Sequence, residues 1–325
     1  MVGFVRFLQQ FRLGIAALVL AGCTAAPPPP SGPTLPSGAA FAESVASGKT
    51  NPETFDFAAA GYWRLTDFER IQWQQPTLDA SMRTFTGAVD PCTPVSQRQA
   101  ASMVWMMLLT QAGSETEWTD NASALRARLA QLDAELAAVR AQTTSSDPRV
   151  AELLERFARD QAVRGVFTQP KWTEGLPPIA ANNWGLAFVS RFAAIDCANT
   201  AWLKTQLATI RWFDIPTYGG EADNAAWHLV QHADREPDFQ RRMLQELEAL
   251  PKGHTDPKRI GYLWDRVARA DKRLQRYGTQ GQCTNGQWKP FEVEDPDHLD
   301  ERRKALGMEP IAEHEKLVSR EACPK

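Results

Sequence analysis

Apolar side chains recur at helical spacing through most of residues 51 to about 145. Thr93-Pro94 pairs an N-cap with a first-turn proline, a strong helix start. Gly113 is a natural stop, and the SMVWMMLL run between them is apolar on every side, which predicts a buried helix. The next segment carries Leu125, Leu129, Leu132, Leu136 and Val139 at alternating spacings of four and three. That is a heptad seam. A helix packed within its own bundle is favoured over a dimerising coiled coil. TTSSDP then breaks the pattern and marks the expected domain boundary.

Asp147-Pro148 opens another helix with the stripe Val150, Leu153, Leu154 and Phe157. The same spacing continues onto Gln161 and Arg164, and polar groups on a core stripe are costly unless paired or lining a pocket. Asp160, four residues before Arg164, is placed to pair with it. The pair reads either as an ion pair at a helix end or as one wall of a polar site. Helices are expected over Ala198 to about Trp212, through WHLVQHAD (Trp227 to Asp234), through DFQRRMLQELEAL to Pro251, and from Asp256-Pro257 onward. The chain changes character at Tyr277-Gly278. Asn285-Gly286 between two short extended runs is the strongest short hairpin signal, expected near residues 279–293. The fold class is mainly α: a helical N-terminal region and a helical C-terminal domain with one small β-hairpin.

The N-terminus adds an address. Arg6 and Arg12 precede an apolar run, Leu13 to Gly22, that is too short for a permanent bilayer span of about 20 residues. Its end, Leu20-Ala21-Gly22-Cys23, resembles the lipobox of bacterial lipoproteins, which implies cleavage before Cys23 and lipidation of its thiol. The expected order is a signal peptide over 1–22, a proline-rich tether over 23–50, the helical region over 51–146, a domain over 147–316 and a tail over 317–325. Thr24 after the cysteine points to the periplasmic face of the outer membrane. The membrane, reached through the lipid on Cys23, is the first expected partner.

A net charge of −3 carries no clustered basic surface for nucleic acid. Without Cys23, an even number of cysteines remains: Cys92, Cys197, Cys283 and Cys323, as suits an oxidising compartment. They allow three pairings, among which the sequence does not choose; position favours Cys283 with Cys323, stapling the tail, and Cys92 with Cys197. None has CxxC spacing.

His228 and His232 stand at i and i+4, but Leu229 occupies the place where the zinc-binding version of this spacing has a glutamate. No third ligand is adjacent, so no metal is expected. At about 100° per residue, Ala226, Leu229, Val230 and Ala233 form one apolar stripe. His228 falls opposite it and reads as solvated; His232 lies nearer its edge. No GxSxG or Cys-His nucleophile pattern and no phosphate-binding glycine loop is present, and no cofactor is expected.

Six phrases then occur in order: DQAVR from Asp160, NTAWLK from Asn199, AAWHLVQHAD from Ala225, YLWDRV from Tyr262, QRYGTQ from Gln275 and VEDPDHLDERR from Val293. Together, over about residues 148–315, they resemble the bacterial domain of unknown function 6624. The family has an apolar residue where His228 stands and a Gly-Trp-Pro turn where this chain has Arg211-Trp212-Phe213. The resemblance singles out Asp160, Gln161, Arg164, Gln231, His232, Asp265, Arg266, Gln275, Tyr277, Thr279 and Gln280. This set reads as a packing network, a polar ligand pocket or a catalytic site. The leading expectation is a non-enzymatic binding or assembly module at the envelope, taking an envelope protein or a small polar ligand, with Arg164, His232 and Arg266 near its site. The competing one is a hydrolase with His232 as base, Asp265 as orienting acid and the arginines as an anion clamp.

Overall fold

The computed structural model describes residues 35–166 and 169–323. The expected signal peptide, Cys23 and the proline run lie outside the described residues. Those residues form twelve α-helices and one two-stranded antiparallel ribbon, so the architecture is mainly α. No described helix is long and apolar enough to cross a membrane. The chain divides into two compact units between Phe239 and Gln240.

In the first unit the tether, expected to reach residue 50, gives way to helix α1, Gly38–Ser47. Phe41 and Val45, one turn apart, are buried there, which explains why the chain folds at this point. Glycine at 38 is required: a Cβ would sit 1.9 Å from the Trp73 carbonyl oxygen. Helix α2, Asp67–Phe85, begins with a capping box between Thr66 and Glu69. Helix α3, Pro94–Gln111, starts at the expected Thr93 cap, and its Val104, Trp105, Met106, Leu108 and Leu109 are buried. In α4, Glu115–Ala138, Leu125, Leu129 and Leu132 are buried within the same unit, against α3 and α6. The heptad seam is thus used inside its own bundle.

Helix α5 is Pro148–Gly165, capped by Asp147. Helix α6, Pro178–Leu207, runs thirty residues and packs on α3, α4 and α5. Its first twenty residues escape the sequence reading because their apolar positions, interrupted by Asn182, Asn183 and Arg191, lack a period. Asn121 Oδ1 accepts a hydrogen bond from the Ala180 amide at 2.9 Å, and Asn183 Nδ2 donates to Gln111 Oε1 at 2.7 Å. These bonds and one continuous hydrophobic cluster join residues before and after Asp147. The one-turn α7, Ile215–Tyr218, leads to α8, Gly220–Gln231. Trp212 and Phe213, where the chain departs from the family turn, are buried, with Trp212 Nε1 donating to Asp223 at 2.7 Å. The favoured disulfide Cys92–Cys197 is present, tying the loop before α3 to the middle of α6.

The chain leaves the first unit within α9, Pro237–Glu248. In the second unit, α10, Pro257–Ala270, starts at the Asp256 cap, and strands β1, Gly281–Thr284, and β2, Gln287–Pro290, form the expected hairpin. Both turn residues, Asn285 and Gly286, have positive φ, 52° and 74°, the conformation that makes this dipeptide a hairpin turn. Helices α11, Leu299–Ala305, and α12, Ile311–Ala322, complete the unit. Cys283–Cys323 joins β1 to the end of α12.

Candidate functional site

Three helices of the first unit bring four ionisable side chains together. Asp160 and Arg164 stand one turn apart on α5, Asp196 lies in the middle of α6, and His232 caps the C-terminus of α8. Arg164 Nη2 donates to Asp160 Oδ1 at 2.9 Å and to Asp196 Oδ1 at 2.6 Å. The guanidinium also stands 4.5 Å from the centre of the Phe192 ring. His232 Nδ1 lies 3.0 and 2.9 Å from the two Asp160 oxygens and 2.9 Å from Arg164 Nε. With a proton on Nδ1 the ring donates to Asp160; without it, Nδ1 accepts from the arginine. This junction therefore changes partner with the proton it carries.

The Asp160 side chain is 1% exposed, whereas those of Asp196, His232 and Arg164 are 12%, 15% and 23% exposed. Burial alone raises a carboxyl pKa. At Asp160 that effect is outweighed by the hydrogen bonds and charges of His232 and Arg164, which hold its carboxyl below the usual range. At Asp196 burial wins: with the added repulsion of Asp160 and Asp234, and against the pull of Arg164 and Arg235, its pKa is pushed up to about 7. One acid is thus held ionised while its neighbour titrates near neutrality. Environments that drive two acids apart in this way are typical of functional sites.

Several expectations change here. The core stripe of α5 carries the buried Asp160 and not Gln161, which is exposed and donates to Asp160 Oδ2 at 2.8 Å. His228 is not solvated: its ring packs 4.9 Å from Phe157 and its Nδ1 lies 2.9 Å from the Asn224 carbonyl. Burial pushes its pKa down. The wheel assumed one covered face, but α8 packs on both α5 and α6. Gln231 is buried. Sequence reasoning missed Asp196, for which the signal was a lone acid in the apolar run FAAIDCA. A cavity of about 30 Å³ lined by Ser190, Ala193 and Arg235 lies about one turn along α6 from it, room for roughly one water.

The remaining predicted residues lie in the second unit. At about 100° per residue Asp265 falls away from the Ile260, Leu263 and Val267 stripe of its helix, yet it is fully buried because residues 275–280 fold over it. Its Oδ1 accepts from the Arg276 and Tyr277 amides at 2.8 and 3.0 Å, and its Oδ2 from the Thr279 amide and hydroxyl at 2.8 and 2.9 Å. Gln275 Nε2 donates to the Gln280 and Phe291 carbonyls, 2.9 Å each, and its Oε1 accepts from the Gln280 amide at 2.6 Å. Asp265, Gln275 and Thr279 therefore tie this loop to α10 and the ribbon. Arg266 Nη1 reaches Gln280 Oε1 at 3.5 Å, and Tyr277 packs edge-on 6.2 Å from Trp264. The carboxylate that orients His232 is Asp160, and the four acceptor positions of Asp265 are filled within its own unit. Among the described residues no group of three His, Cys, Asp or Glu side chains is arranged to hold a metal ion.

A family model, described as a family of unknown function (DUF6624), matches residues 148–323. No curated protein and no solved structure matches the chain.

Proposed function

Because the chain belongs to this family of unknown function (DUF6624), we propose a role from its charged cluster: a lipid-anchored binding or assembly module of the cell envelope that engages a polar group of its partner at the Asp196–Arg164–His232 rim. One observation carries the reading. Three ionisable side chains, Arg164, Asp196 and His232, gather from three helices around the buried Asp160 carboxylate and each keeps an edge in solvent. Taking such charges out of water costs several kcal/mol per ion, and apolar side chains would pack the same space at no such cost. Selection for a bound group explains their presence. The small adjoining cavity favours a partner that presents one polar group to the rim over a small molecule engulfed whole. The anchor rests on the Leu20–Cys23 lipobox and the proline tether, and Thr24 after the cysteine favours the periplasmic face of the outer membrane.

The test is thermal unfolding of the full-length chain with wall fragments, sugars, phosphates and envelope extracts. A ligand that raises the melting temperature of the native chain, but not of Asp196→Asn, is the expected result. Unchanged melting with every addition would remove a small-molecule role. Palmitate labelling retained on Cys23→Ser would sink the anchor.

A second reading has its own support in the two acids around His232, one held below the usual carboxylate range and the other raised to about 7. In it His232, oriented by Asp160, acts as a general base and Asp196 supplies a proton. Turnover of an ester or phosphate substrate that disappears in both His232→Ala and Asp160→Asn would favour it over binding alone.

A further inference from the structure

Helix α2 has two faces that both read as apolar. One is buried in its own unit through Trp73, Thr77, Ala80 and Thr84. The other carries Phe68, Ile71, Gln75, Leu78 and Met82 at spacings of three, four, three and four. That is an a/d seam with one polar position at its centre, the arrangement by which paired helices fix their register. Phe68, Ile71 and Met82 are 69%, 62% and 37% exposed among the described residues, and Leu78 is half-buried at the edge of the core. The seam on α4 is consumed within its own unit; this one is not.

We propose that this face of α2 pairs with α2 of a second copy of the chain, antiparallel about a twofold axis through Gln75. The seam is symmetric about that residue. Seven positions to either side stand Phe68 and Met82, which the axis brings together, and inside them Ile71 meets Leu78. Gln75 meets its own copy, and two side-chain amides pair well with each other because each is both donor and acceptor. Beside them the axis sets Gln72 near Asp79 of the second copy, whose Oδ1 accepts from Gln75 Nε2 of its own chain at 2.7 Å and whose other oxygen is the acceptor for Gln72. Charge selects the direction. The first turn of α2 carries Asp67 and Glu69 and the last turn Arg83, so antiparallel pairing sets acid near base and opposes the helix dipoles, whereas parallel pairing sets like against like. The same acids, with Asp79, disfavour the surface of an anionic bilayer as the occupant. A helix of nineteen residues spans at most about 28 Å, Pro76 beside the axis bends it, and one helix pair is a small interface, so the association is weak and is expected to be seen at high chain concentration.

Oxidation of the full-length Gln75→Cys chain should give a disulfide-linked dimer, since the axis places the two thiols together. Met82→Cys should not, because its two copies lie about 21 Å apart along the antiparallel pair, but a mixture of Met82→Cys and Phe68→Cys should cross-link. Adding Ile71→Glu to Gln75→Cys should reduce cross-linking at least tenfold with the melting temperature unchanged, as Ile71 is exposed in the single chain. Equal cross-linking of Gln75→Cys and Met82→Cys would overturn the antiparallel pair. Two further results would overturn the dimer. One is a monomeric native chain at every concentration in sedimentation. The other is Ile71→Glu leaving cross-linking intact while abolishing binding to phosphatidylglycerol vesicles, which would make the face a lipid contact.

Discussion

Replacing Asp196 by asparagine isolates the cost of keeping an acid in the cluster. Its pKa is pushed from 3.8 to about 7 by burial and by the neighbouring carboxylates. A carboxyl raised in the folded state binds more protons there than in the unfolded chain between those two values, so stability falls as pH rises through that window. At 1.36 kcal/mol per pH unit the full penalty is about 4 kcal/mol above pH 8, and about 2.5 kcal/mol of it develops between pH 5 and 8. Asparagine keeps an oxygen for Arg164 and cannot ionise. The gain in stability of Asp196→Asn over the native chain should therefore grow by about 2.5 kcal/mol from pH 5 to pH 8. The difference between the two chains is the quantity to read. His228, whose pKa is pushed down by burial, makes the native chain more stable as pH rises through the same window, and it cancels in the comparison. Urea unfolding followed by tryptophan fluorescence at four pH values suffices. A difference that stays within about 0.5 kcal/mol from pH 5 to 8, well below the predicted linkage, would refute the assignment of a near-neutral acid at this position.

Asp160→Ala leaves Arg164 and His232 without their shared carboxylate and should cost about 3–5 kcal/mol. It should also move the titration of Asp196, followed by carboxyl-carbon NMR, below about 7, since one repulsive charge is removed. Serine at both Cys92 and Cys197 opens a loop of 105 residues and should cost about 4.7 kcal/mol by chain entropy, against about 3.9 kcal/mol for Cys283 and Cys323, with 40 residues between them; urea midpoints of the two double variants give the comparison. Asp265→Ala strips the acceptor from the amides of Arg276, Tyr277 and Thr279. It should destabilise by about 3 kcal/mol, at roughly 1 kcal/mol for each orphaned amide, the Thr279 hydroxyl being free to rotate to another partner. Hydrogen exchange at those three amides should accelerate before that of α10.

Elements with a sharp start or a strong period were legible. The Thr93, Asp147 and Asp256 caps and the Asn285-Gly286 turn follow from local chemistry that tertiary packing did not override, and the two disulfides are the pairing that position favoured. Two thirds of helix α6 was lost because its apolar positions do not repeat at the helical period. His228 and Asp265 were misplaced for one shared reason: a wheel allows a single covered face, and both residues lie on a second face covered by a distant segment. For His228 that segment is α5; for Asp265 it is the loop from Gln275 to Gln280. The site was legible as far as Asp160, Arg164 and His232. Asp196 was missed, although it is a lone acid in the apolar run FAAIDCA, because the cluster it joins, Arg164 and His232 included, comes from other helices.

The family segment begins at residue 148, yet the core it shares begins with Phe41. Trp172, Trp184 and Phe188, all inside the family segment, belong to one hydrophobic cluster with Trp105, Leu125 and Leu129, which lie outside it. What is inherited as a unit is therefore not what folds as one. Helices α1 to α4 act as a wall that the first part of the family segment borrows, and a relative with a different N-terminal region must furnish an equivalent wall from other residues. The charged cluster could thus be carried on many different supports, provided each one closes the dry side of α6.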